Sequence, residues 1–219
     1  MMEPIRNPSG NDTPLCGSCL VSNLQDVLVF RPDAGRKLRE FIGWGRFDYP
    51  ANCVEQGGWL IGRYVRDGLG RGVRAEVTAI LPAESCVGTP TYLEWTALED
   101  IRLQRAFFRM KDDLSAVDPQ AGEALSVLGW FHTHPNQLPV FMSGTDMETQ
   151  RLKFFRPEHF AVVLNPHRRI WKAFKGKEAA EVPAVMLWED GPVLARSPVR
   201  PSRAGKDPRR KKRRGIPRH

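Results

Sequence analysis

At 219 residues, 41% hydrophobic and 26% charged, the chain has the size and composition of one globular domain with loose ends, large enough to bury a core without disulfides. Its net charge of +8 is unevenly placed: nine of the 33 Lys and Arg, against one acidic residue, fall in residues 203–219, and the rest of the chain is balanced. That argues against a basic nucleic-acid-binding fold and leaves nucleic acid, an acidic partner or anionic lipid as partners for the tail alone.

In chain order, residues 1–25 are polar and rich in Gly, Asn and Pro, a flexible leader without the basic start and apolar stretch of a secretory signal. Within it Cys16 and Cys19 form a C-x-x-C pair, but no second such pair exists to complete a structural zinc site. VLVF (27–30) reads as a short strand. Pro32 and Asp33 open a helix with Leu38, Phe41 and Ile42 on one face, ended by Gly45 and Pro50. Residues 57–65 and 73–83 read as two strands of a hairpin, with a glycine-rich turn between them. A strand is expected at 91–96, and then a helix over 97–114. Its stripe of Ile101, Leu103, Ala106, Phe107 and Met110 predicts core packing.

Asp118, Pro119 and Gly122 mark a loop. Residues 126–134 form an apolar run that ends in polar side chains, as a central strand does when it delivers ligands from its end. Residues 143–155 follow as a helix with a serine N-cap. Strands are expected at 159–166 and 169–174, joined by a turn at Asn165-Pro166, and another at 184–188. Apolar runs are short and broken by charges, so none is long enough to span a bilayer. The simplest placement is cytoplasmic. These elements give an α+β domain over 26–198, with a mixed central sheet, and a disordered basic tail over 199–219.

The chemistry concentrates in GWFHTHPNQLPVFMSGTD (129–146). Residues two apart on a strand point to the same side, so His132 and His134 present both imidazoles to one point. Neutral imidazole is a preferred zinc ligand, and a hydrolytic zinc takes three protein ligands with one position open for water. Asp146, at the start of the next helix, is the natural third. His159 and His167 have no partner at ligand spacing and read as polar loop residues. Trp130 and Phe131 read as sheet residues packed around the histidine strand.

Glu55, HTHP (132–135) and SGTD (143–146), with VEQGGWLIG (54–62) upstream, together resemble the JAMM (MPN+, JAB) zinc metalloprotease family. That family's signature is an upstream Glu, H-[ST]-H-P, a spacer and S-x-x-D. The resemblance extends over roughly residues 27–175, and its context is similar to the stand-alone bacterial, deubiquitinase-like members. One departure is visible: eight residues separate His134 from Ser143, where the pattern has seven, a difference a loop absorbs at small entropic cost.

The resemblance implies an MPN-type fold, similar to cytidine deaminases, with helices flanking the sheet. It also implies Zn2+ on His132, His134 and Asp146, Glu55 as general base and then acid, and Ser143 as a donor to the developing oxyanion. The implied activity is an isopeptidase that removes or trims a ubiquitin-like protein at its C-terminal glycine. Bacterial relatives of this kind serve ubiquitin-like conjugation systems, antiviral (antiphage) operons among them, so conjugation enzymes are further expected partners. Two alternatives remain: maturation of a sulfur-carrier protein of ubiquitin-like fold, and a non-catalytic MPN scaffold.

Overall fold

The three residues of strand β1, Leu28–Phe30, lie inside a nine-stranded sheet, third from one edge, although they come near the start of the described chain. The computed structural model describes residues 27–45, 53–66, 73–84, 86–188 and 191–194. The leader with Cys16 and Cys19, Pro50 and the basic tail lie outside the described residues. β1 runs parallel to two strands far away in sequence, β3 (Val73–Pro82) and β10 (Ala184–Trp188). Helix α1, Pro32–Ile42, follows it with proline in its first turn, where no N–H partner is needed. It ends earlier than expected. Gly43 takes the left-handed C-cap position (φ 62°), and the N–H groups of Gly43 and Trp44 bond the carbonyls of Glu40 and Arg39.

Strand β2, Gly57–Arg66, pairs antiparallel with β3 as the expected hairpin. The next segment differs from expectation. Within 91–96 the strand is limited to Tyr92–Glu94 (β5), which pairs with β4, Val87–Thr89, in a separate two-stranded sheet. Helix α2 spans Ala97–Val117, capped by Thr96, whose hydroxyl accepts from the Glu99 N–H. The expected loop at Asp118 and Pro119 is instead a short helix, α3 (Pro119–Ala124): Asp118 caps it and proline opens it, a helix-start signal rather than a turn. The stripe on α2 is not core either. Leu103 is buried, but Ile101 is 45% exposed, and a cavity of about 570 Å3 lined by Phe107, Trp59, Tyr64 and Phe154 separates the helix from the sheet.

Strand β6, Ser126–Thr133, lies between β2 and β7 (Phe160–Asn165), antiparallel to the first and parallel to the second. Helix α4, Gly144–Lys153, connects β6 to β7. Strands β8 (Ile170–Lys175) and β9 (Ala180–Val182) complete one side of the sheet, and β11 (Gly191–Leu194) borders β10 on the other. The mixed sheet with helices is the expected α+β fold.

The two faces of the sheet carry different tasks. Leu28, Phe30, Leu128, Phe131, Phe160, Val162 and Leu164 pack with Leu38 and Ile42 of α1, and each large side chain so buried contributes about 1.5–3 kcal/mol. Trp130, Ala161, Val163 and Phe174 face the other way, with Val140 and Phe154. Strict alternation would send Leu128 and Trp130 to the same face. A bulge prevents it: Leu60 pairs with Gly129 and Ile61 with Val127, so one residue of β6 is left over. Gly129 adopts φ +147°, and a Cβ there would lie 1.8 Å from the Phe160 carbonyl oxygen. Only glycine fits, and the shift places Trp130, and two residues later His132, on the face away from α1.

Candidate metal centre

His132 lies in β6, and His134 follows its end. The His134 N–H donates to the Leu164 carbonyl of β7 (2.8 Å). Thr133, between them, clamps the neighbouring segment: its N–H donates to the Gln56 carbonyl (2.8 Å) and its hydroxyl accepts from the Gln56 N–H (2.9 Å). Glu55 is therefore held on one side by this clamp. On the other its N–H donates to the Thr89 carbonyl (2.8 Å), and Gly88 lets that hairpin approach so closely that a Cβ would sit 2.3 Å from the Glu55 carbonyl oxygen. Asp146 occupies the first turn of α4. Ser143 caps that helix, its Oγ accepting from the Asp146 N–H (3.2 Å), while the Ser143 N–H donates to Asp146 Oδ2 (2.7 Å).

These elements bring His132, His134 and Asp146 together, buried, with ligand atoms within 4.8 Å of one another. The two Nε2 atoms are 3.1 Å apart, His132 Nε2 is 3.1 Å from Asp146 Oδ1, and His134 Nε2 is 3.5 Å from Asp146 Oδ2. Bonds of about 2.0–2.1 Å in a tetrahedron space their ligands about 3.3–3.4 Å apart. The observed separations bracket that value. Protonation fits as well. His134 Nδ1 is 2.7 Å from the Pro139 carbonyl oxygen, which only accepts, so Nδ1 carries the proton and Nε2 keeps its lone pair. Lone pairs this close and this buried need a cation or shared protons between them, and two imidazoles with a carboxylate are donors that zinc favours.

The electrostatics agree. Burial pushes the Asp146 carboxyl up, but its bonds to His132 and His134, with Ser143 adding to them, outweigh that and hold it well below the usual carboxylate range. Burial lowers His132. His134 is raised, because bonds to Asp146 and the Pro139 carbonyl override the opposing effect of burial. Glu55, 6% exposed, is pushed up to about 7 by burial, with His134 pulling it down and Asp146 pushing it further up. In the metal-free chain Glu55 thus binds its proton more tightly when folded than when unfolded. Stability is then lost as pH rises from about 4.5 towards 7, a contribution on the order of 2–3 kcal/mol. Denaturant titrations of the metal-free chain at pH 5 and pH 8 should show that loss, and Glu55→Gln should remove it.

Glu55, His132, His134, Ser143 and Asp146 line one cavity of about 200 Å3, walled by Tyr92, Leu93, Trp95, Leu138 and Phe141. His159 and His167 are elsewhere. His167 Nδ1 accepts from the Asn136 N–H (2.7 Å), and His159 packs edge-on against Phe154. Gln150 and Phe141 support the cluster without being singled out in the sequence, whereas Trp130 was read as packing around the histidine strand. Trp130 stacks on His132 at 4.6 Å, and its indole N–H donates to Gln150 (2.7 Å), whose own amide donates to the carbonyls of Phe154 and Gly176. Phe141 meets His134 edge-on. A helical reading does place Gln150 one turn after Asp146, on the same face of α4; nothing in the sequence points to its partner.

A mixed sheet with a histidine-bearing strand, an acidic helix start beside it and a glutamate opposite defines the class, and residues 52–153 match the family model for the JAB1/Mov34/MPN/PAD-1 ubiquitin protease. The match to this JAB/MPN domain covers a little under half of the chain. It is also similar to COP9 signalosome complex subunit 5 of Oryza sativa subsp. japonica, 37% identical over 59 residues. That match covers 26% of this chain and 16% of the relative.

Proposed function

We propose that the chain is a zinc-dependent isopeptidase that releases or trims a ubiquitin-like protein at its C-terminal glycine. The observation that carries this reading is the buried His132–His134–Asp146 cluster, which shares a cavity with Glu55. The three would hold zinc. When bound, zinc supplies Lewis acidity, lowering the pKa of a water in its open position and polarising a carbonyl. Glu55 takes a proton from the attacking water and later delivers it to the departing amine as the C–N bond breaks. A raised pKa suits both steps. The Ser143 hydroxyl donates a hydrogen bond to the developing oxyanion. Capping does not compete, because accepting from the Asp146 N–H uses an oxygen lone pair.

The cavity walls favour a small, uncharged residue at the cut bond. Apart from the reacting groups, its lining is aromatic, aliphatic or hydroxyl-bearing, with no further charge. A glycine-terminated tail meets that condition. The family model's description as a ubiquitin protease points the same way. We assign the catalytic unit to 26–198, with 1–25 and 199–219 as flanking segments, and its partners as ubiquitin-like conjugates and the enzymes that make them. Among the described residues no helix is long and apolar enough to cross a membrane, and the proposed site of action is the cytoplasm.

A substrate trap tests the proposal. Wild type and Glu55→Ala are expressed in the native host, and tryptic digests are searched for lysines that carry a modifier remnant. Accumulation with the mutant alone supports deconjugation and identifies the modifier. Accumulation of an untrimmed modifier precursor instead assigns the enzyme to maturation. Zinc content well below one per purified chain, with neither product, overturns the hydrolase reading in favour of a scaffold. Ser143→Ala separates two roles at one residue: loss of the cap costs about 1 kcal/mol, and loss of an oxyanion donor lowers kcat by roughly 10^2–10^3. A lower Tm with unchanged kcat would leave Ser143 only the cap.

A further inference from the structure

The eight-residue connection from His134 to Ser143 is held at a few points, two of them by one side chain. Asn165, at the end of β7, is fully buried, and its amide is spent on backbone. Nδ2 donates to the carbonyls of Asn136 (3.0 Å) and Leu138 (2.8 Å), and Oδ1 accepts from the Arg168 N–H (2.8 Å). The orientation is determined: a flipped amide would set its NH2 against an N–H and its oxygen against two carbonyls. Asn136 itself sits in the left-handed region (φ 59°), its N–H donating to His167 and its side chain to the Cys53 carbonyl.

One residue beyond Leu138 is Pro139, whose carbonyl accepts from His134 Nδ1. The residue before Asn165 supplies the carbonyl that holds the His134 N–H. The end of β7 therefore fixes His134 twice, through its backbone directly and through its imidazole by way of the loop. We infer that Asn165 is a positioning residue for His134: by anchoring the Asn136 and Leu138 carbonyls it places the Pro139 carbonyl, which selects the Nδ1–H tautomer and aims Nε2 into the cluster.

The consequence for zinc rests on the proposed function; the tautomer does not. Supporting groups of this kind change metal affinity by roughly 10–100-fold. The test uses the full chain as wild type, Asn165→Leu, and Asn165→Ala in case leucine prevents folding. Val185→Ala, in the buried cluster around β1 and β10, is the control for a general loss of stability. Imidazole 15N–1H spectra of the metal-free proteins at alkaline pH report the His134 tautomer, and chelator competition reports zinc affinity.

We expect the wild type and Val185→Ala to show His134 protonated at Nδ1. In the Asn165 variants that signal should be lost or mixed with the Nε2 tautomer, and zinc affinity should fall 10–100-fold at matched Tm. Asn165 variants that keep a pure Nδ1–H signal and wild-type affinity would overturn the inference. An equal loss of affinity in Val185→Ala would also overturn it. A wild type without zinc affinity would overturn the zinc reading instead, and the tautomer spectra would still decide the role of Asn165.

Discussion

Glu55→Gln should lower kcat by roughly 10^2–10^4, the range of a lost general acid–base, while zinc content stays at one per chain. The two halves of this result follow from different facts. Glu55 lines the cavity that holds the cluster, but it is outside the His132, His134 and Asp146 group whose ligand atoms converge. Glutamine keeps the shape and cannot take a proton. Its backbone anchors, the bond to Thr89 and the clamp between Gln56 and Thr133, do not involve the carboxylate, so the site should keep its form. Elemental analysis and a fluorogenic isopeptide substrate read both quantities on one preparation. Loss of zinc in this variant would make Glu55 a ligand rather than a base, and unchanged kcat would assign the proton transfers elsewhere.

His134→Ala should lose zinc and turnover together. Removing a ligand exceeds the roughly 10–100-fold cost of removing a supporting group, so affinity should fall by more than about 100-fold. Zinc should then no longer raise Tm, because stabilisation by a ligand follows its affinity for the folded state. Asp146→Asn should behave alike, for a second reason. The carboxylate is the anionic partner of both imidazoles, with Nε2–oxygen separations of 3.1 and 3.5 Å, and it accepts from the Ser143 N–H as well. Its amide would offer one oxygen and would turn an NH2 towards lone pairs or an N–H. A His134→Ala protein that keeps one zinc per chain and full turnover would remove the cluster from the mechanism.

The residues proposed to carry the chemistry were legible because their spacing is local. His132 and His134 share a face by the two-residue period of a strand, and Ser143 with Asp146 fits a helix start. The elements carrying them, 126–133 and 144–153, fall within the stretches read from periodicity. Errors gathered where tertiary packing decides. Ile101 is exposed although it lies on an apolar stripe, and Phe107 of the same stripe lines a cavity instead of packed core. Residues 87–89 form a strand only because β5 lies beside them, and such short strands carry no periodicity of their own. Asp118-Pro119 was misread for a different reason: the same dipeptide starts helices and turns alike, and only the Ala121 N–H that Asp118 receives distinguishes them.

By itself, the sequence determined the residue types of the site, the strand and helix that present them, and the resemblance from which zinc hydrolysis is argued. Periodicity and local capping act within a few residues, so a linear text records them. Tertiary structure alone decided which face of the sheet the histidines occupy, through the bulge at Gly129, and which proton His134 carries, through the Pro139 carbonyl. It also brought Glu55 to a cluster formed from residues 132–146, by pairing Gly57 with His132 across β2 and β6. Those decisions depend on hydrogen bonds and close approaches between segments as many as 77 residues apart, and no local pattern encodes such partners.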